Sequence, residues 1–458
     1  MVENPETGAL EPLDFNYLQD NVTELRHLGC DISSVEFQPP LDSSAITPEH
    51  WVQLARVIEA NYDKYDGFVI LHGTDTMAYT ASAMSFVFEG LSKPIVFTGS
   101  QLPVGKLRTD GKENLITAIE IAAARDEVGR PRVPEVTLFF ENYLMRGNRT
   151  SKISADQFSA FESYNYPHLA YAGIEIRYHD AVISKASMGR TLSVRPHFDP
   201  HVAVLKLFPG ITREVVEAVL SVPSLRGVVI ETFGSGNAPM MPWFIEALRA
   251  AVARGVVIVN VTQCVTGYVD MTRYETGVLL EKIGLVSGRD ATTEAALTKL
   301  MYLFGQGFSS EEVSHLMSVP LRGDELRPRN GGLLSRDLHL PPIARRTYLH
   351  CNSSNDKIYV PLQWEQWQLL LPRRRSWGLP HRCRNTHPYH YQDPQERRHT
   401  AGWRYDPRRH RHARPRRPHP YSRHHRRCLS SPGLCYEVGA RQHRTQSLRA
   451  RSHRSITP

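Results

Sequence analysis

The run Phe68-Val69-Ile70-Leu71, followed at once by His72-Gly73-Thr74-Asp75-Thr76-Met77, restricts this chain more than any other stretch. Four apolar residues without alternation describe a strand buried on both faces, and such strands belong to parallel sheets covered by helices. The polar hexapeptide then makes a tight turn, and Ala78 to Met84 read as the helix that follows. In parallel sheets this junction lies at the carboxyl edge, where ligands bind. Two hydroxyls, a carboxylate and the free N–H groups of a helix start suit a small polar substrate there. Helix capping by Thr74, Asp75 or Thr76 accounts for the same residues equally well.

The pattern recurs along the chain. Pro94 to Thr98 is a second buried strand, leaving through Gly99-Ser100-Gln101, and a helix is expected from about Lys112 to Ala124. Val136 to Phe140 is a third strand, leading to the loop Arg146-Gly147-Asn148-Arg149-Thr150-Ser151-Lys152. Upstream, Ser33 to Gln38 reads as a short strand and Leu41-Asp42-Ser43-Ser44 as a polar loop. Thr47 caps a helix with Pro48 in its first turn, and Trp51, Leu54, Ala55 and Ile58 form its apolar face. The first twenty residues, with Pro5, Gly8 and Pro12, predict no strand.

Alternation of this kind predicts an α/β fold, a parallel sheet with helices on both faces. Periodicity lapses near Gly189 to Pro200, so 1–190 is read as one domain and 191–201 as a linker. A second, smaller α/β domain is expected over 202–325. Its strands fall at 202–207, 228–230 and 256–261, and its helices at 215–220, 242–254 and 292–304. A last helix, capped by Ser309 with Glu312, runs to Met317.

Composition separates a body from a tail. Of the 55 Lys and Arg residues 25 lie from Arg345 onward, with only 6 of the 47 Asp and Glu, so a tail of +19 follows a body of −11. The tail holds 24 arginines, one lysine, 12 histidines and four tryptophans, with no apolar period. Residues 326–458 are therefore expected to be disordered, since little in them offsets ordering entropy. They read either as a basic arm for nucleic acid or an acidic surface, or as an out-of-frame product of GC-rich coding DNA, and the scarcity of lysine favours the second.

Other chemistries find little support. No stretch approaches a membrane span, the N-terminus is no signal peptide, and a cytoplasmic location is the default. Cys30 and Cys264, far apart in the body, suggest no disulfide framework, and the tail shows no compact zinc spacing. Cys264 is expected to be a buried small residue. Gly234-Ser235-Gly236 is too short to hold a nucleotide.

The ordered set of short motifs is more telling. His-Gly-Thr-Asp-Thr-Met at 72–77 is followed by Thr98-Gly99-Ser100-Gln101-Leu102-Pro103 with Arg108, Asp110, Gly111 and Asn114. Leu41-Asp42-Ser43-Ser44, Lys152 before Ile153, Arg273-Tyr274-Glu275-Thr276-Gly277, Ser287-Gly288-Arg289-Asp290 and Thr292-Thr293-Glu294-Ala295 complete the set. Through residue 325 the chain resembles the type I, cytoplasmic bacterial L-asparaginases of the asparaginase/glutaminase superfamily.

That resemblance implies a two-domain fold and hydrolysis of L-asparagine to L-aspartate and ammonia through a threonine acyl-enzyme, without cofactor or metal. It implies a homodimer or homotetramer. Thr74 would orient the attacking water or the amide, and Lys152 would be its basic partner. Asp75 would hold the substrate α-ammonium, while Asp42, Ser43 and Ser44 would bind its carboxylate end. Asn237 would be offered to a neighbouring subunit's site. Read without the resemblance, Ser43 and Ser44 are turn residues, Lys152 a solvated surface lysine and Asn237 a residue tolerant of a left-handed turn.

The chain also departs from that family. Its members open on a buried strand ending in Thr-Gly-Gly-Thr-Ile-Gly, whose second threonine is the nucleophile. Met1-Val2-Glu3-Asn4-Pro5 is similar to the residues directly after that motif, so Met1 is read as an internal methionine, chosen as a start or left by truncation. The 458 residues as written are expected to bind substrate poorly, turn over little and dissolve poorly. The alternatives are the asparaginase-like subunit of a tRNA-dependent amidotransferase and a catalytically inactive asparagine-binding protein.

Overall fold

The computed structural model describes residues 2–3, 10–11, 22–37, 41–184, 190–325 and 368–374. The chain opens, against expectation, on a strand pair, Val2–Glu3 with Leu10–Glu11, in antiparallel register. The N-terminal part is then built from β1 (Cys30–Glu36), α1 (Pro48–Asn61), β2 (Phe68–Leu71), α2 (Met77–Val87), β3 (Ile95–Thr98), α3 (Gly111–Ala123), β4 (Val136–Phe140) and β5 (Tyr143–Arg146). Short strands β6 (Ser151–Lys152), β7 (Phe161–Glu162), β8 (Ala170–Ala172) and β9 (Ile176–Tyr178) follow. β1 begins three residues ahead of the expected Ser33, and Gln38 lies outside the described residues.

β2, β3 and β4 are parallel neighbours, and alternate residues along them enter opposite layers. Phe68, Ile70, Ile95 and Phe97 pack with Trp51, Leu54 and Ile58 of α1 and with Met77, Ala81 and Met84 of α2. Val69 and Val96 pack with Leu115, Ala118, Ile119 and Ala122 of α3 on the other face. This double coverage is why these strands read as unbroken apolar runs. The sheet is nevertheless mixed. Glu141 takes a positive φ of 55° and turns β4 straight back into β5, too short a connection for a parallel crossover.

The second part holds β10 (Val202–Lys206), α4 (Arg213–Leu220), β11 (Gly227–Thr232), α5 (Pro242–Ala253), β12 (Val257–Thr262), α6 (Glu275–Lys282), β13 (Val286–Ser287), α7 (Thr293–Gly305) and α8 (Ser310–Met317). Its sheet, β10-β11-β12-β13, is parallel throughout. Helix α6 gives little sequence signal, because Arg273 to Gly277 look like loop and only Gly277 and Leu280 of the helix are buried.

The expected linker is more than a spacer. Ser193–Val194 pairs with Phe88–Glu89 at the end of α2, and Phe198 lies against Trp51 and Tyr302 with ring centroids 5.2 and 6.2 Å apart. Of the tail, residues 326–367 and 375–458 lie outside the described residues. Against the expected disorder, Gln368–Arg374 forms β14, which lies between β1 and β2, antiparallel to both. Pro372 stands opposite Ile32, past the last residue paired with β2, so its missing N–H leaves no gap in the β2 ladder. The full order is β9-β8-β5-β4-β3-β2-β14-β1.

Candidate active site

The exit of β2 is held rigidly from below. His72 N–H donates to Thr98 O at 2.9 Å, which carries the β2–β3 ladder one residue past the strand. The buried His72 ring spans Gly73 O at 2.6 Å and Thr80 Oγ1 at 2.9 Å, and Trp51 Nε1 donates to the same hydroxyl at 3.0 Å. Burial drives the His72 pKa down to about 3, partly opposed by the Gly73 carbonyl. The ring is therefore neutral: Nδ1–H donates to Gly73, and Nε2 accepts from Thr80. His72 braces the turn through these two contacts.

Gly73 allows the next approach. A Cβ there would meet Ser43 Oγ at 2.5 Å and Ser43 Cβ at 2.7 Å, so the 42–44 loop packs directly on this backbone. Thr76 Oγ1 donates to Ser43 O at 2.6 Å and locks the two segments together. Asp42 Oδ1 accepts from Ser44 N at 2.9 Å, capping the short turn Ser43–Ala45. Ser43 is buried, whereas Asp42 and Ser44 are exposed.

Helix capping does not explain the hexapeptide. Thr76 occupies the cap position of α2, yet its side chain makes no cap hydrogen bond. Thr74 Oγ1 donates to Gln101 Oε1 at 3.1 Å, and Gln101 is itself held by its Nε2 on Gln157 O at 3.0 Å. Asp110 fixes that loop by accepting from the backbone N–H groups of Gln101 and Leu102 at 2.9–3.0 Å. Gln101 belongs to a motif of the resemblance but carried no expected role; its amide, one residue beyond a glycine-serine exit, is the available signal.

Lys152 reaches this hydroxyl from 78 residues away. Its Nζ donates to Thr74 Oγ1 at 2.9 Å and to Asp75 Oδ1 at 2.7 Å. The lysine side chain is only 20 % exposed, unlike a solvated surface lysine. Its segment is anchored just upstream by two arginines. Arg146 pairs with Glu135 at 2.6 Å, and buried Arg149 makes a two-pronged contact with Asp290, at 2.5 and 3.2 Å, and donates to Asp324 O at 2.6 Å. A buried pair of this kind registers one domain against the other.

Three sequence expectations stand apart from this cluster. Asn237 ends a tight turn after β11, bridged to Phe233, where its Oδ1 accepts from Thr276 Oγ1 at 2.8 Å. Cys264 is exposed, not buried as expected, because β12 ends at Thr262 and the chain turns outward. Gly234-Ser235-Gly236 makes the turn that precedes Asn237, with positive φ at both glycines. Among the described residues no three His, Cys, Asp or Glu side chains gather closely enough to hold a metal. No described helix is long and apolar enough to cross a membrane.

The sequence matches two family descriptions in succession: "Asparaginase, N-terminal" over residues 1–184 and "Glutaminase/Asparaginase C-terminal domain" over residues 201–317. It is 47% identical over 298 residues to L-asparaginase 1 of Escherichia coli K12, covering 65% of this chain and 86% of that protein. It is 45% identical over 301 residues to the 60 kDa lysophospholipase of Mus musculus, and spans about half the length of that larger relative, 52%. The crystal structure of L-asparaginase I from Vibrio cholerae superposes with a TM-score of 0.58 at 47% identity, covering 63% of this chain and 84% of that one. The chain belongs to the asparaginase family, an amidohydrolase family, and carries its two-domain α/β fold.

Proposed function

We propose that this protein is an L-asparaginase whose amide substrate is bound and activated at the exit of β2, in the cytoplasm and as a homodimer or homotetramer. The observation that carries the reading is Lys152 Nζ, within 2.9 Å of Thr74 Oγ1 and 2.7 Å of Asp75 Oδ1. Asp75, 63 % exposed at the rim, is available to exchange its lysine partner for a substrate α-ammonium. Asp42, Ser43 and Ser44 form the facing wall for the α-carboxylate end, held there by the close approach at Gly73.

The hydrolysis breaks the C–N bond of the substrate amide: a hydroxyl or water adds to the carbonyl carbon, and nitrogen leaves as ammonia after gaining a proton. Thr74 orients the adding water or the amide, and Lys152, once uncharged, takes up the proton released by the adding group. The motif Thr-Gly-Gly-Thr-Ile-Gly, which bears the nucleophile in the resembling enzymes, does not occur in these 458 residues. Binding is therefore the sharper readout than turnover for this protein.

The test is calorimetric titration of the full chain with L-asparagine and L-aspartate, with ammonia release followed in parallel. Weak binding with little ammonia is expected, and Asp75→Ala should reduce the affinity about ten-fold or more by removing a charge-assisted contact. Binding that is unaffected by both Asp75→Ala and Lys152→Ala would overturn the site. Full amidase activity of the 458-residue chain would instead show that the nucleophile lies within it.

A further inference from the structure

Lys152 stands on a strand of two residues whose sheet partner is β7. Its neighbour Ser151 has a second tie, across the domains: Ser151 Oγ donates to Glu294 Oε2 at 3.0 Å. Glu294 lies in the first turn of α7. Thr292 already caps that helix by accepting from Ala295 N at 3.1 Å, so the glutamate is not needed as the cap. Neither substrate binding nor the hydrolytic step uses it.

The geometry around Glu294 is costly. Burial raises its pKa, and the like charge of Glu231 raises it further, against lowering by the helix-start backbone and the Ser151 and Thr292 hydroxyls. Glu231 is held beside it by Thr293 Oγ1 at 2.7 Å and Lys206 Nζ at 3.0 Å. Burial, with a smaller contribution from the same two carboxylates, pushes the Tyr79 phenol of α2 up to about 12. A carboxylate kept in such surroundings gives a strong hydrogen-bond acceptor on a fixed support.

The support is rigid. Ala295, Ala296, Leu300, Tyr302 and Leu303 of α7 are buried, and Tyr302 stacks on Phe86 of α2 with centroids 6.1 Å apart. α2 starts directly after Thr76. Both sides of the Thr74–Lys152 contact are thus referenced to one helix, Thr74 through α2 and Lys152 through Ser151 and Glu294.

We propose that Glu294 is a positioning residue: its carboxylate holds Ser151 and thereby sets Lys152 Nζ between Thr74 and Asp75. This rests on the assignment of Lys152 to the active site. It adds a device by which the C-terminal domain controls the placement of a base carried on the N-terminal one.

The test is acetylation of the full chain with an N-hydroxysuccinimidyl ester, with the rate at each lysine read by peptide mass mapping. Lys93, half-buried on the Tyr65 carbonyl, and Lys299, buried against Asp324, serve as internal references, since general loosening would raise their rates together with that of Lys152. Glu294→Ala and Ser151→Ala should each speed Lys152 modification about five-fold relative to those references, and the double variant no further. Glu294→Gln should stay near the parent, because its carboxamide oxygen still accepts from Ser151. An unchanged Lys152 rate in Glu294→Ala, a Gln variant behaving like the Ala variant, or additive effects in the double variant would overturn the proposal. Should Glu294→Ala not fold, Ser151→Ala and Glu294→Gln still decide it, by the same expected rise and the same expected constancy. Labelling needs no turnover, so loss of this pattern is separate from a failure of asparagine binding or hydrolysis.

Discussion

The two larger sheets among the described residues end a central strand in the same local way and put the result to different uses. β2 leaves through His72-Gly73-Thr74, and β11 leaves through Phe233-Gly234-Ser235-Gly236-Asn237. In the second sheet the turn closes on itself: Asn237 O accepts from Phe233 N at 2.9 Å, and the Asn237 side chain is taken by Thr276. In the first sheet the turn stays open, and segments from elsewhere reach it: the Ser43 loop, Gln101 and Lys152. A strand exit is therefore only a platform. On the reading proposed above, it becomes a site when distant segments bring an amide and an ammonium to its hydroxyl.

The sheets also differ in how they are completed, and this can be broken directly. The parallel second sheet is continuous, whereas among the described residues β1 joins the first sheet through β14 alone. Leu370 stands opposite both Val69 and Ser34, so Leu370→Pro removes a ladder donor between two neighbours and should cost about 3 kcal/mol. Hydrogen exchange should speed up in β1 and β2 and stay unchanged in β11 and β12. Equal protection of β1 and β2 in parent and variant would mean that β14 does not hold the first sheet together.

pH should strain the two regions in opposite directions. Buried Glu325, packed against Lys299, Asp324, Arg289 and Asp290, has its pKa pushed up to about 7, chiefly by burial. Between about pH 4.3 and about 7 the folded state keeps a proton that the unfolded chain has lost. Stability from this group therefore falls as pH rises through that window, by about 4 kcal/mol in all, and is level above it. His72 works the other way, because the unfolded imidazole gains a proton below about pH 6.5 that the buried ring refuses until about pH 3. Urea unfolding across pH should show a shallower loss between about pH 4.3 and about 7 in Glu325→Gln than in the parent. Identical pH profiles would refute the assignment.

The smallest contrast sharpens the role of the two turns. Gly73→Ala forces a Cβ against Ser43 and should cost about 1–2 kcal/mol, with about a ten-fold loss of asparagine affinity as the 42–44 wall is pushed back. Gly234→Ala meets open space apart from Asn237 Nδ2 at 3.9 Å, and its only penalty is its positive φ of 52°, about 1 kcal/mol. Its asparagine affinity should equal the parent's. Equal effects on binding from the two variants would erase the distinction between platform and site.

Much of the architecture is legible in local pattern. The unbroken apolar runs at β2, β3 and β4 mark strands covered on both faces, and Thr47-Pro48 marks the start of α1. The alternation from Val202 to Met317 appears as the second sheet with its helices. The hairpin from β4 to β5 escapes such a reading because a glutamate at φ 55° carries no glycine or asparagine signature. β14 escapes it because Leu369, Leu370 and Leu371 sit in an arginine-rich context and their pairing partners lie hundreds of residues upstream.

By itself the sequence determined the layers, the strand exits and the helix caps, because side-chain period and backbone preference act over a few residues. Its ordered motifs also determined the family. Only the tertiary structure decided that Thr74 meets Lys152, that Asp75 faces the same ammonium, and that Ser151 is tied to Glu294 of the other domain. Those contacts span 77 to 143 residues, and local periodicity carries no information about which surfaces come together over such distances. Packing of α2 on α7 and the buried Arg149–Asp290 pair settle it, through the burial and charge pairing of the assembled domains.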